Sequence, residues 1–284
     1  MADVVFIVPR PERPFLSGAK PLSPPLGVGA LGTMVKQKGG SVRIIDLYAQ
    51  NLSRAGIREI LAREKPALVG LSVMSEARSS ALKIASIAKE VCPETLVMVG
   101  GVDPTFRFSG YLSNPSVDAV IRYEGELALS TILDMYACGG VHWDEVPNAV
   151  FRFREEIIHN PISKALNLDE LPIVDRGLFE LERYVSRGRF TIMTSRGCPY
   201  NCQFCGGTSI GGSYRQRSLG TIEAELSYLT SNYPVSNIIV WDDAFTYDRE
   251  RVSELCHILG SYSITWGCQC RVNEVTPTML SEMY

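Results

Sequence analysis

The stretch RGCPYNCQFC, Arg196–Cys205, follows a short apolar run, Phe190–Thr194, and its reading decides the second half of the chain. A strand that opens into a loop carrying Cys198, Cys202 and Cys205 has the spacing C-x3-C-x2-C. Thiolates this close in sequence can converge on one face of a soft-metal site. An ordinary iron–sulfur cluster takes four cysteines. Three leave one iron without a protein ligand, and an open metal position is where substrate chemistry occurs. Gly197 before the first cysteine and Gly206-Gly207 after the last suit a backbone wrapped closely around a bulky inorganic group. The competing reading is a zinc site completed by Cys268, Cys270 or His257. Zinc knuckles favour paired C-x2-C spacings, which this chain lacks.

Toward the C-terminus, strand and helix patterns alternate: a helix over Thr221–Leu229, a strand over Asn237–Trp241 and a helix over Arg249–Leu259. A strand over Ile264–Cys268 and the start of a helix at Thr278–Tyr284 complete the series. An eight-unit α/β barrel takes about 250 residues. Residues 189–284 therefore suit about three units, and the expectation is a truncated product or a partial barrel.

Toward the N-terminus, residues 146–188 read as a hairpin (Asn148–Asn160) followed by a proline- and acid-rich linker. Before it, Val4–Val8, Val42–Asp46, Ala67–Val73, Leu96–Val99 and Val117–Arg122 are short apolar runs separated by helical patterns such as Ser80–Val91. This is the pattern of an α/β fold, a doubly wound parallel sheet over residues 1–145 with ligands at its strand tips. Gly27, Gly29 and Gly32 match G-x-G-x-x-G, with Asp46 beyond, but an 18-residue loop (9–26) separates them from the first strand. A dinucleotide fingerprint needs them in the turn directly after that strand. Close packing of the first helix on the sheet accounts for them instead.

The 284 residues suit roughly two domains, with 28 Lys and Arg against 31 Asp and Glu. A net charge of −3 disfavours nucleic acid as a partner. No apolar run approaches the ~20 residues of a membrane span. The N-terminus reads as a strand, not a signal peptide. A cytoplasmic location follows, with the eight cysteines reduced. Cys92, Cys138 and Cys256 sit singly in helical patterns and read as small core residues. Cys268 and Cys270 share one side of a strand end, where core packing is set against lining a barrel mouth.

With Phe204 at its aromatic position, the cysteine loop resembles the radical S-adenosylmethionine (SAM) motif. The resemblance implies a [4Fe–4S] cluster on Cys198, Cys202 and Cys205, with SAM chelated at the open iron and near Phe204. The first module resembles the cobalamin-binding fold paired with such barrels. The residues carrying that likeness are Ser72 after the third strand, Gly100-Gly101 after the fourth, and Glu124-Gly125 in the turn after the fifth. The histidine motif that ligates cobalt in some relatives is missing, since the first histidine is His142. Asp242-Asp243 stands where the family has a glycine-rich SAM amino-group motif, and Arg271 is within reach of the SAM carboxylate; helix capping and a surface role are the alternatives. Tyr214–Ser218 matches a run usual in this subfamily, with no role derivable from the residues. The family implies methylation of an unactivated carbon or phosphorus centre in a small-molecule substrate, with a flavodoxin- or ferredoxin-like electron donor. Cyclisation or rearrangement, and a non-catalytic binding module, are the alternatives. Methylthiotransfer needs three further cysteines in the first module, where only Cys92 and Cys138 lie.

Overall fold

In the computed structural model, which describes residues 3–12, 21, 23–184 and 188–284, the strands of the first half fall on the β-branched runs. β1 (Val4–Val8), β2 (Val42–Asp46), β3 (Leu68–Ser72), β4 (Leu96–Gly100) and β5 (Ala119–Ile121) form one parallel sheet. Strands such as Val4–Ile7 are buried along their whole run, as expected for a parallel sheet covered on both faces. The order β2-β1-β3-β4-β5 is the doubly wound order, with its switch point between β1 and β3.

α1 (Leu26–Gln37) and α6 (Glu126–Ala137) belong to the hydrophobic cluster on one face. α3 (Arg54–Glu64), α4 (Arg78–Val91) and α5 (Val102–Leu112) pack into the cluster on the other, and a short α2 (Leu47–Gln50) follows β2. Apolar periodicity dictates these faces: Ala81, Ile84, Ala85 and Ala88 of α4 are all buried. The hairpin of β6 (Ala149–Phe153) and β7 (Glu156–His159) does not stand apart in a linker. It adds to the sheet beside β5 as an antiparallel edge, giving seven strands.

The chain divides into two compact units, Met1–Lys164 with Val174–Tyr184, and Ala165–Ile173 with Val185–Tyr284. The segment read as a linker is thus shared between them. Val174, Phe179 and Tyr184 join the apolar cluster that includes α1. The Asp175 amide donates to Thr33 Oγ1 at 2.9 Å, and Tyr184 Oη donates to Asp46 at 2.9 Å. Burial raises the Asp46 pKa. Gly29 and Gly32 face this strap: a Cβ at Gly29 would lie 2.6 Å from Val174, and one at Gly32 3.0 Å from Leu178 and 3.1 Å from Ile44. Close packing therefore explains the two glycines. Part of the 9–26 loop lies outside the described residues.

In the second unit β8 (Arg189–Ile192), β11 (Asn237–Val240) and β12 (Thr265–Cys268) form a parallel sheet in the order β12-β11-β8. Between β8 and β11 lie β9 (Ser195–Arg196), α7 (Gly207–Gly211), β10 (Arg215–Gln216), which pairs antiparallel with β9, and α8 (Leu219–Asn232). α9 (Arg249–Gly260) precedes β12 and α10 (Pro277–Met283) follows it. Repeated parallel βα units are the opening of a barrel. Among the described residues no helix is long and apolar enough to cross a membrane.

Candidate functional site

Because β8, β11 and β12 run parallel, the segments that follow Ile192, Val240 and Cys268 emerge at one end of the sheet. The cysteine loop is the first of these. Its base is closed by Gly197, whose φ of +82° suits glycine and whose Cβ would sit 2.4 Å from Ser213 O. A Cβ at Gly211 would likewise meet Gly197 Cα at 2.8 Å, so the two ends of the loop touch. Such a closed loop is built as a unit.

Within it Cys198 and Cys202 are half-buried and Cys205 is exposed, and all three are free thiols. The Cys205 amide donates to Cys202 O at 3.0 Å, and the Gly207 amide to Cys205 Sγ at 3.3 Å. Among the described residues no three Cys, His, Asp or Glu side chains are gathered into a metal-holding group. The donor set fits a cluster in kind and number: three free thiols on one closed loop, which a soft metal can draw together as it binds. Phe204 is 94% exposed and packs against nothing that would fix its ring.

The two aspartates after β11 part company. Asp242 is buried and accepts from the Thr194 amide at 2.7 Å, Thr194 Oγ1 at 2.5 Å and Ser195 Oγ at 2.7 Å. Burial raises its pKa against the pull of those hydrogen bonds. It ties β8 to β11. Asp243 is exposed, close to the end of the cysteine loop: a Cβ at Gly211 would be 3.5 Å from its Oδ2. Only Asp243 is placed to meet a soluble ammonium.

Arg271, past β12, stacks on the Tyr200 ring with its guanidinium carbon 3.6 Å from the centroid. Tyr200 Oη donates to Glu274, whose carboxylate holds the phenol pKa above its ordinary value, and Glu274 Oε2 accepts from Thr246 Oγ1 at 2.5 Å. Tyr247 meets Tyr200 and Tyr214 edge-on, with centroids 6.0 and 5.0 Å apart. Sequence reading passed over Tyr200, Glu274 and Tyr247, which lie far apart along the chain. The run Tyr214–Ser218 also acquires a role. Arg217 is buried in an ion pair with Glu225 and donates to Met193 O at 3.0 Å, while Arg251 donates to Thr194 O at 3.2 Å and to Arg217 O at 2.5 Å. Burial, with the nearby Cys270, Asp242 and Cys256 adding to it, pushes the Cys268 thiol up to about 12. It stays protonated at neutral pH, as a packing residue does.

At the strand tips of the first unit the glycine pair is bound up with the backbone of its neighbour. Gly101 has φ +103°, and its Cβ would lie 2.9 Å from both N and O of Val73. The Val73 amide donates to Gly100 O at 2.8 Å. Ser72, half-buried, ends β3 opposite Gly100. The turn Tyr123–Gly125 is held by Asn148, whose Nδ2 donates to Glu124 O at 2.9 Å. Glu124 and Gly125 are half-buried, and Gly125 caps α6. The structure therefore brings Ser72, Gly100 and Gly101 together on adjacent strand tips, with Glu124 and Gly125 one strand further along.

Residues 14–133 match the family model of the B12 binding domain. The chain is 29% identical over 277 residues to an uncharacterized methyltransferase of Pyrococcus horikoshii, covering 95% of this chain and 60% of that protein. Its likeness to an anaerobic magnesium-protoporphyrin IX monomethyl ester cyclase of Rubrivivax gelatinosus is 28% over 264 residues, 89% of this chain and 47% of that one. Among solved structures, the cobalamin-dependent SAM radical enzyme OxsB, with aqua-cobalamin and SAM bound, superposes with a TM-score of 0.81 at 21% identity, over 98% of this chain and 40% of that one. The chain is similar over nearly its whole length to members of the cobalamin-dependent radical SAM enzyme family. Its first unit carries the B12-binding domain and its fold is the one the family shares. The chain spans about half the length of these relatives.

Proposed function

We propose that this chain supplies the cobalamin- and cluster-binding part of a radical SAM methyltransferase acting on an unactivated carbon or phosphorus centre of a small molecule. The observation that carries the proposal is the closed loop of three free thiols at the shared end of β8, β11 and β12, in a chain whose first unit matches the B12 binding domain. Cluster and SAM together supply radical generation, and cobalamin supplies methyl transfer.

In this reading residues 1–145 hold cobalamin, the hairpin after them forms the edge of the same sheet, and 189–284 hold the cluster. Cys198, Cys202 and Cys205 hold the iron, Asp243 faces the SAM ammonium, Arg271 takes the SAM carboxylate, and Phe204 flanks the loop. Asp242 supports them from below by fixing β8 to β11. Ser72, Gly100, Gly101, Glu124 and Gly125 line the corrinoid side, with glycine backbone offering close approach and the serine a hydroxyl. The electron donor is an external flavodoxin- or ferredoxin-like protein, and the setting is cytoplasmic. Likeness to the Rubrivivax cyclase favours a second reading, in which the same cofactors serve cyclisation instead of methyl transfer.

Anaerobic reconstitution with iron, sulfide and hydroxocobalamin tests the proposal. We expect about four irons per chain, lost in Cys202→Ala, and a stoichiometric corrinoid band. Zinc in place of iron, or no retained corrinoid, overturns the corresponding half.

A further inference from the structure

Tyr200 lies inside the cysteine loop, two residues from both Cys198 and Cys202. Three strand ends meet at its ring. Its own segment follows β8. Tyr247, edge-on to it, and Thr246, reached through Glu274, follow β11. Arg271 and Glu274 follow β12, one stacked on the ring and the other accepting from the phenol. The loop is closed at its base by Gly197 and Gly211, while Phe204 and Cys205 face solvent. A loop anchored only at its base would swing about it. The contact of Tyr200 Oη with Glu274 ties its first arm to the strand ends.

We infer that Tyr200 is a positioning residue: through Glu274 it fixes the arm carrying Cys198 and Cys202, and through its stack it holds Arg271 in register with that arm. The hydroxyl is the working part, because a phenyl ring keeps the stack and the edge contacts. A hydroxyl on a carboxylate is a charge-assisted bond, about twice as strong as a neutral one. Losing it frees the arm without emptying the core. The inference rests on the proposed cluster role of these cysteines, but its first test does not need the cluster.

In the metal-free chain, alkylation by iodoacetamide is followed cysteine by cysteine by peptide mass spectrometry. Tyr200→Phe and Glu274→Gln are each expected to raise the rates at Cys198 and Cys202 by about ten-fold, the size of one charged hydrogen bond. Cys256 and Cys268 serve as internal references and stay unchanged. Tyr262→Phe removes a phenol that donates to Glu223 O at 3.2 Å elsewhere in the unit, and is expected to leave Cys198 and Cys202 unchanged. Unchanged rates in both Tyr200→Phe and Glu274→Gln overturn the inference, as does an equal rise at every cysteine, which reports loosening of the whole unit.

In the reconstituted chain, a chelator is expected to strip iron from Tyr200→Phe about ten-fold faster than from the wild type. The change that SAM induces in the electron paramagnetic resonance of the reduced cluster is expected to shrink with it, because the arm, with Arg271 stacked on it, is no longer tied to Glu274. Equal stripping and an identical response overturn the positioning role. If the wild type takes up no iron, the proposed function fails while the alkylation result still decides the role of Tyr200.

Discussion

The strand ends of the two units are built from opposite materials. In the first, the tips of β3 and β4 are joined by backbone: Gly101 presses on N and O of Val73, and the Val73 amide reaches Gly100 O. In the second, the tips of β8 and β11 are joined by buried ionisable side chains, Asp242 across them and the Arg217–Glu225 pair with Arg251 beneath. Backbone joints bring the two strand tips together with no side chain between them. Side-chain joints leave exposed loops free to carry reactive groups while the charges below hold the frame. The difference also sets how each region fails. A close-packed backbone joint tolerates no added atom, whereas a charged frame tolerates no missing partner.

The largest expected effect comes from removing such a partner. Arg217 and Glu225 are only 6% and 5% exposed as side chains, so neither charge can be rehydrated in place. Glu225→Ala strands the guanidinium, and a broken buried pair costs about 3–5 kcal/mol. Urea unfolding should show this loss in the second unit, with the first unit's transition unmoved. A loss below about 1 kcal/mol would mean the pair is no better than a surface bridge and does not hold the frame.

Next in size is Gly101→Ala. Its backbone conformation costs a non-glycine residue about 1–3 kcal/mol, and the added methyl would press on Val73 backbone atoms that cannot turn aside. We expect about 2–4 kcal/mol, read as a shift of the first unit's urea midpoint.

What was legible in the sequence follows the same division. β1 and β2 were read to their ends because Val4–Val8 and Val42–Asp46 are short apolar runs buried in a parallel sheet, where composition alone marks the strand. The cysteine loop was legible because its spacing is the signal. Contacts between residues distant in sequence were not. Glu225 sits in α8 as an ordinary polar residue, and nothing periodic links it to Arg217. Tyr200 and Glu274 are 74 residues apart. The strap was invisible for another reason: Val174, Leu178, Phe179 and Tyr184 pack as a string of turns, and turns carry no apolar period. The hairpin was recognised, but its place beside β5 depends on which edge the parallel sheet leaves open.

A smaller effect sharpens the account of Asp242. Its pKa is raised in the folded chain from an ordinary 3.8, chiefly by burial. A raised carboxyl favours the fold most below its unfolded value and withdraws that support as pH climbs through the folded value. Asp242→Asn carries no such charge. The variant loses some hydrogen-bond strength at every pH, which is a constant offset. Its thermal midpoint should therefore gain on the wild type as pH rises above about 4, and level off once the folded carboxyl has ionised. Parallel curves for the two proteins would mean that Asp242 is not desolvated.

The smallest effects separate two glycines of α1 that a motif search treats alike. Gly29→Ala places a methyl 2.6 Å from Val174 and 3.1 Å from the Phe179 ring, so the strap must shift. Overpacking of this kind costs about 1–3 kcal/mol. A Cβ at Gly27 meets nothing within 4 Å, and alanine is the better helix former by up to about 1 kcal/mol. Gly27→Ala is therefore expected to raise the thermal midpoint slightly, and Gly29→Ala to lower it. In a dinucleotide fingerprint the first glycine makes the tight turn and the second admits the pyrophosphate, so Gly27→Ala would be the costly change in the ligand-free protein and Gly29→Ala the neutral one. Opposite signs in the ligand-free chain would mark the glycines as a packing surface. The strap that Gly29 and Gly32 admit is the reason α1 can hold Thr33 within 2.9 Å of the Asp175 amide.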